Sequence, residues 1–294
     1  MFRHSTYFAL FCSVLIAALI LSFSLAGVAA AQGNTSLGIG ALQSNTTGSY
    51  NTARGASVLY INVTASYNTA SGVSALLFNT SGNYNTAGGA FALFGNTTGQ
   101  YNTANGVSAL ANNITGDSNT GNGFNALASN TIGAGNTASG VNALLFNTSG
   151  GDNTAMGSDA LRSNTTGEIN TASGVSALFS NTMGTGNTAN GVTALLSNTT
   201  GSGNTAIGVS VLASNTTGDL NTAIGANALI GNTTGELNTA IGFGANVSVG
   251  NLTNATAIGN FATVNASNKV RLGNTAVTVI EGQVAFTFPS DKTQ

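Results

Sequence analysis

The triplet Asn-Thr-Ala, or a near variant, recurs in strict register at Asn34, Asn51, Asn68, Asn85 and onward to Asn238, and one further step reaches Ala255. No unit in that span carries an insertion or a deletion. So short and strict a period admits few folds, because each unit must be one supersecondary element that buries its apolar face only by stacking on its neighbours. The consensus is N-T-A-x-G-x-x-A-L-x-x-N-T-T-G-x-x, counted below as coil positions one to seventeen. The fifth position is Gly in every unit, Gly72, Gly89 and Gly106 among them. The ninth is Leu in the first twelve units, as in Leu76, Leu93 and Leu110, and the twelfth is Asn in the same twelve, as in Asn79 and Asn96.

Helical repeats run to about 33 residues or more, so a helical hairpin does not fit. Two strands of about five residues with two tight turns do fit, at a rise of about 3.3 Å per residue. Gly at two positions, with Asn-Thr-Thr-Gly between, also breaks helices and suits turns of positive φ or close backbone approach. The expectation is an all-β, parallel β-solenoid (β-roll) of about thirteen 17-residue coils with a short C-terminal β cap. Leu at the ninth position and Ala at the third and eighth would form a thin apolar seam. Asn at a fixed position would stack into amide ladders. One coil buries little, so stability must accumulate along the stack.

The ends read differently. Arg3 and His4 precede an apolar run from Tyr7 to Leu25, and Ala29-Ala30-Ala31 follows. That order reads as a secretory signal cleaved after Ala31, which makes the mature chain secreted or cell-surface and free of the membrane. An uncleaved anchor is the alternative reading of the same run. Residues 32–260 are read as the solenoid and 261–294 as the cap. In the tail Val270, Leu272, Val277, Val279, Val284, Phe286 and Phe288 alternate with more polar residues, as short strands would.

Composition narrows the function. Charged residues are 5% of the chain, against about 25% in an average soluble domain. Six Lys and Arg, scattered, do not make a phosphate-tracking surface, so nucleic acid is not an expected partner. The single His (His4) and single Cys (Cys12) both precede Ala31, leaving the mature chain without imidazole or thiol. It reads as non-enzymatic, with no cofactor. Asp117, Glu168, Asp219 and Glu236 all fall at the sixteenth position and read as solvated turn charges. A calcium site needs several oxygen ligands clustered in one loop, so no metal is expected.

Four further rows have two readings each. The seventeenth position is Tyr in four successive units, Tyr50, Tyr67, Tyr84 and Tyr101. Such a row is a platform for sugar rings or a protein partner, or else a self-stacking ladder that stiffens the rod. Thr at the second and thirteenth positions forms ladders that suit either ice binding or simple strand propensity. The repeated N-x-[S/T] sequons, Asn45, Asn79, Asn96 and Asn147 among them, are glycan acceptors or a by-product of turn chemistry.

Asn221-Thr222-Ala223-Ile224-Gly225 and Asn238-Thr239-Ala240-Ile241-Gly242 resemble the N-S-V-A-I-G head repeats of trimeric autotransporter adhesins. The resemblance spans roughly residues 34–260 and implies left-handed parallel β-rolls assembled as trimers. The period here is longer than the usual head repeat. The stretch Asn268-Lys269-Val270-Arg271-Leu272-Gly273-Asn274, with Phe288-Pro289-Ser290-Asp291-Lys292, resembles the junction in phage tail-fibre-like proteins. There, head-type repeats precede an endosialidase-type intramolecular chaperone. That family's self-cleavage pairs a Ser with a Lys five residues on; Ser290 has no such Lys here, so no cleavage is implied.

Together these features lead to an exported structural or adhesive fibre protein, a homotrimer that binds a host-surface protein or glycan through contacts repeated along a stiff rod. The alternatives are a monomeric solenoid binding polysaccharide or ice, and a self-polymerising matrix protein.

Overall fold

A computed structural model describes residues 32–281. The chain winds as a parallel β-solenoid of about 14 turns, roughly 17 residues per coil. Each coil contributes one three-residue strand over its second to fourth positions, from Thr35–Leu37 through Thr239–Ile241. These join Thr256–Ile258 and Val270–Leu272 in one 15-stranded parallel sheet. Each strand residue sits beside its equivalent in the next coil, as in Thr69↔Thr86 and Ala70↔Ala87. Fourteen spacings of about 4.8 Å give a rod roughly 67 Å long.

The strand alternates as its sequence requires. The central Ala points inward, and Ala70, Ala104 and Ala138 are fully buried. The second and fourth positions face outward. The eighth-position Ala and ninth-position Leu complete a narrow seam in which Leu76, Leu93 and Leu110 are fully buried.

The second strand expected in each coil is absent from the coils up to residue 237. Two consecutive turns replace it, closed by Ala75 N–H to the Gly72 carbonyl at 3.4 Å and Asn79 N–H to the Leu76 carbonyl at 3.4 Å. Ser74 (φ 56°) and Leu76 (φ 51°) take left-handed backbone, and so do their equivalents in successive coils. The reversed residues let the turns bond along the rod in both directions. Ser74 N–H reaches back to the Ala56 carbonyl at 2.9 Å, and Leu76 N–H reaches forward to the Ala92 carbonyl at 2.9 Å. Left-handed backbone costs about 1–2 kcal/mol at a non-glycine residue. Ser74 and Leu76 together therefore cost about 2–4 kcal/mol, against about 1.5–3 kcal/mol from burying the Leu side chain and about 0.5–1.5 kcal/mol from each of the two hydrogen bonds.

The two Gly positions have different causes. Gly72 has φ 132°, and a Cβ there would lie 2.5 Å from the Gly89 carbonyl. Gly99 has no such φ; it is small because a Cβ would lie 2.5 Å from both Asn96 Oδ1 and the Gly116 carbonyl oxygen. Gly89 and Gly106 repeat the first arrangement, at φ 135° and 143°.

The stack runs past residue 260. Thr256 pairs with Val270 and Ile258 with Leu272, so the last turn is shorter than those before it. Asn246–Val247 and Thr263–Val264 pair as a second, two-stranded parallel sheet where Leu ceases at the ninth position. Val277 and Val279 are exposed outside any strand. Val284, Phe286 and Phe288, the junction residues Phe288–Lys292 and the proposed signal at 1–31 lie outside the described residues. Among the described residues no helix is long and apolar enough to cross a membrane.

Candidate functional site

The surface of the rod is a set of parallel rows, one per outward coil position. What each row can do depends on whether its polar groups are already used within the stack.

Two rows of Asn are wholly internal. At the twelfth position Asn96 Nδ2 donates to Asn79 Oδ1 at 2.7 Å and to the Gly99 carbonyl at 3.0 Å. At the first position Asn85 Nδ2 donates to the same Gly99 carbonyl at 2.8 Å, and Asn85 Oδ1 accepts Asn102 N–H at 2.9 Å. Two buried amide ladders therefore share one carbonyl per coil and pin the Thr-Thr-Gly turn between them. Asn79 and Asn96 are fully buried. The folded coil has no room for a glycan on either.

The thirteenth-position Thr row is also consumed. Thr80 Oγ1 donates to the Thr97 carbonyl at 2.9 Å, Thr97 to Ile114 at 2.9 Å and Thr165 to Thr182 at 3.0 Å. The second-position Thr row is not. No hydroxyl from Thr52 to Thr256 in that row bonds another protein group among the described residues.

At the sixteenth position, short side chains cap the backbone of the preceding coil. Asp117 Oδ1 accepts Gln100 N–H at 2.7 Å, Ser202 Oγ accepts Thr185 N–H at 3.1 Å, and Asn83 Oδ1 accepts Ser66 N–H at 2.7 Å. Asp219 does the same for Ser202. Two of the four acids read as solvated turn charges are thus backbone acceptors; Glu168 and Glu236 make no such bond. Among the described residues no three His, Cys, Asp or Glu side chains gather as a metal site would require.

Tyr50, Tyr67, Tyr84 and Tyr101 form a continuous stack. Ring centroids are 5.1, 4.9 and 5.1 Å apart, with interplanar angles of 14°, 3° and 2°. Each residue has left-handed backbone, φ 56–60°. The rings lie across successive coils, so the inner faces are covered by their own neighbours. Ring edges and hydroxyls are what the row offers outward, about half exposed.

Two outward features carry no repeat signature. A groove of about 760 Å³ runs over five coils between Ile61, Phe78, Phe94 and Ile114, where Gly95 leaves a gap in the eleventh-position row. That Gly among Ile61 and Phe78 was the available signal. Farther along, Arg162 lies between the rings of Phe146 and Phe179, 5.4 Å from each centroid. Its Nε is 3.5 Å from Asp159 Oδ1.

Apolar side chains stand exposed along the strand face and the corner beside it. Val73, Val107, Val141 and Val175 line the sixth position, and Ile207, Ile224, Ile241 and Ile258 continue the fourth toward the C-terminal end.

No family profile and no curated protein matches this chain. The geometry of its rows therefore bears the functional reading.

Proposed function

We propose that the chain is the rod of an exported adhesive fibre, non-enzymatic, assembled as a homotrimer like the head repeats it resembles, and binding a surface protein or glycan. The observation that supports this most directly is the unbroken stack from Thr35 to Leu272, with exposed Val at the sixth position of alternate coils from Val73 to Val175 and exposed Ile at the fourth position from Ile207 to Ile258. Contiguous exposed apolar surface on an otherwise soluble protein marks an interaction face. Here it recurs at whole-coil intervals, so a partner copy with the same period meets it in register.

Function in this reading is mechanical and multivalent. A rod that repeats a weak contact at each coil gains avidity beyond any single contact. The Tyr50–Tyr101 stack supplies edges and phenol hydroxyls for a surface protein or glycan. The exported location rests on the apolar amino terminus and its Ala29-Ala30-Ala31 end.

The test is adhesion as a function of coil number. Residues 102–203 make six whole coils, and their deletion joins Tyr101 to Asn204 in register. Rods of both lengths are displayed on beads and measured against arrays of glycans and matrix proteins. Retention that falls steeply in the shortened rod is expected. Absence of adhesion to every surface, or equal adhesion by both lengths, contradicts the reading.

A further inference from the structure

The second position is Thr in all fourteen units, while the fourth position beside it runs through Leu37, Arg54, Ser71, Gly88, Asn105 and Met156. Both positions face outward on the same three-residue strand. The recurrent Asn side chains and the thirteenth-position Thr hydroxyls have partners in the stack, as Asn113 and Thr131 show. The second-position hydroxyls do not. Strand propensity explains a β-branched residue here, but Val and Ile satisfy it equally.

We propose that this threonine row binds ice, by holding a file of water molecules in the geometry of the ice lattice. Successive hydroxyls are one coil apart, about 4.8 Å. A water bridging two of them through bonds of about 2.8 Å over that span is bent at about 118°, near the tetrahedral angle of about 109° in ice. The file is regular, because each threonine sits directly beside the next, as Thr69 does beside Thr86 and Thr86 beside Thr103. It is also stiff. Thr is restricted at χ1, and each strand is bonded on both sides, as Thr86 N–H is to the Asn102 carbonyl at 2.8 Å. Hydroxyls held in this way lose little freedom when water orders on them. Each Thr also presents a methyl group, which keeps the strip between hydroxyls free of competing hydrogen bonds.

The row favours water over a polysaccharide. Sugar rings stack on aromatic faces, and the Tyr row beside the threonines ends at Tyr101, followed by Ser118 and Gly135. The threonines continue for ten more coils, to Thr256.

The test uses the full chain and three variants. Ice-crystal shaping and recrystallisation inhibition are read for the natural protein, for Thr154→Lys, for Thr154→Lys with Thr188→Lys, and for Ser163→Lys on a different row. Circular dichroism confirms that each keeps the solenoid. The natural chain and Ser163→Lys are expected to shape ice equally. Thr154→Lys is expected to need about tenfold more protein for the same effect, equivalent to about 1.4 kcal/mol, and the double variant more. Should the natural protein leave ice growth as albumin does, or should folded Thr154→Lys act like the natural chain, the proposal is overturned. A natural chain that leaves ice alone but binds a polysaccharide along this row overturns it equally. The fourth-position Ile at which copies meet stand beside Thr205 to Thr256 alone, and Thr154 and Thr188 lie outside that stretch, so ice shaping and adhesion are judged by separate experiments.

Discussion

Asn96 and Asn79 are joined by an amide–amide hydrogen bond of 2.7 Å in the buried centre of the rod, and the next link, Asn113 to Asn96, is 2.8 Å. The chain spends its interior volume on this ladder because each coil has only Ala and Leu to exclude water from it. Substituting Asn96→Ala removes two donated bonds and leaves Asn113 Nδ2 short of one acceptor. The Gly99 carbonyl keeps its bond from Asn85. A loss of about 1–3 kcal/mol is expected for the buried group left unpaired, read by denaturant titration. A change within error would contradict a structural role for the ladder.

Gly140 has φ 142°, and a Cβ there would run into the Gly157 carbonyl. Gly140→Ala therefore suffers backbone strain of about 1–3 kcal/mol before any clash is counted. Because coils contact only their neighbours, the break should divide the rod into two units. Hydrogen exchange is expected to show faster amides in the coils on either side of residue 140, with distant coils protected as before.

The ring of Tyr84 stacks between those of Tyr67 and Tyr101. Tyr84→Ala removes both contacts, each of about 0.5–1.5 kcal/mol. Thermal stability should drop modestly, and the near-ultraviolet dichroism of the stack should fall by more than one tyrosine's share. Adhesion lost with stability unchanged would instead mark the row as a binding surface with no part in stiffening.

Asp219 accepts the Ser202 N–H through one carboxylate oxygen. Asp219→Asn keeps an acceptor of the same length, as Asn83 shows for Ser66, and is expected to be near neutral. Asp219→Ala should cost about 0.5–1.5 kcal/mol. Equal stability of the two variants would return Asp219 to a role as a solvated charge.

How the repeat period becomes a solenoid was legible from residue spacing alone, because so short a unit leaves little room for anything else. The inward Ala and Leu were legible too, from their constancy between units, and so was the stacking of Asn into a ladder, though not its burial. The turns were misread as a second strand. Left-handed backbone is ordinarily read from Gly, Asn and Asp, and here it falls on Leu76 and its equivalents. The seventh position held a clue in Asn125, Asn142, Asp159 and Asn227, all with positive φ. The tail from Lys269 was read as a cap from its changed periodicity and alternating apolar residues, and there Val270–Leu272 keeps the sheet after a shorter step. The roles of the polar rows had no sequence signature. Thr at positions two and thirteen is the same residue, and only the fold shows that one hydroxyl set is spent and the other free.

The most direct measurement is the solution mass of the chain by light scattering over a wide concentration range. A stable mass of three chains is expected, with the exposed Val and Ile rows meeting between copies. A folded solenoid that stays a single chain throughout would contradict the trimeric fibre.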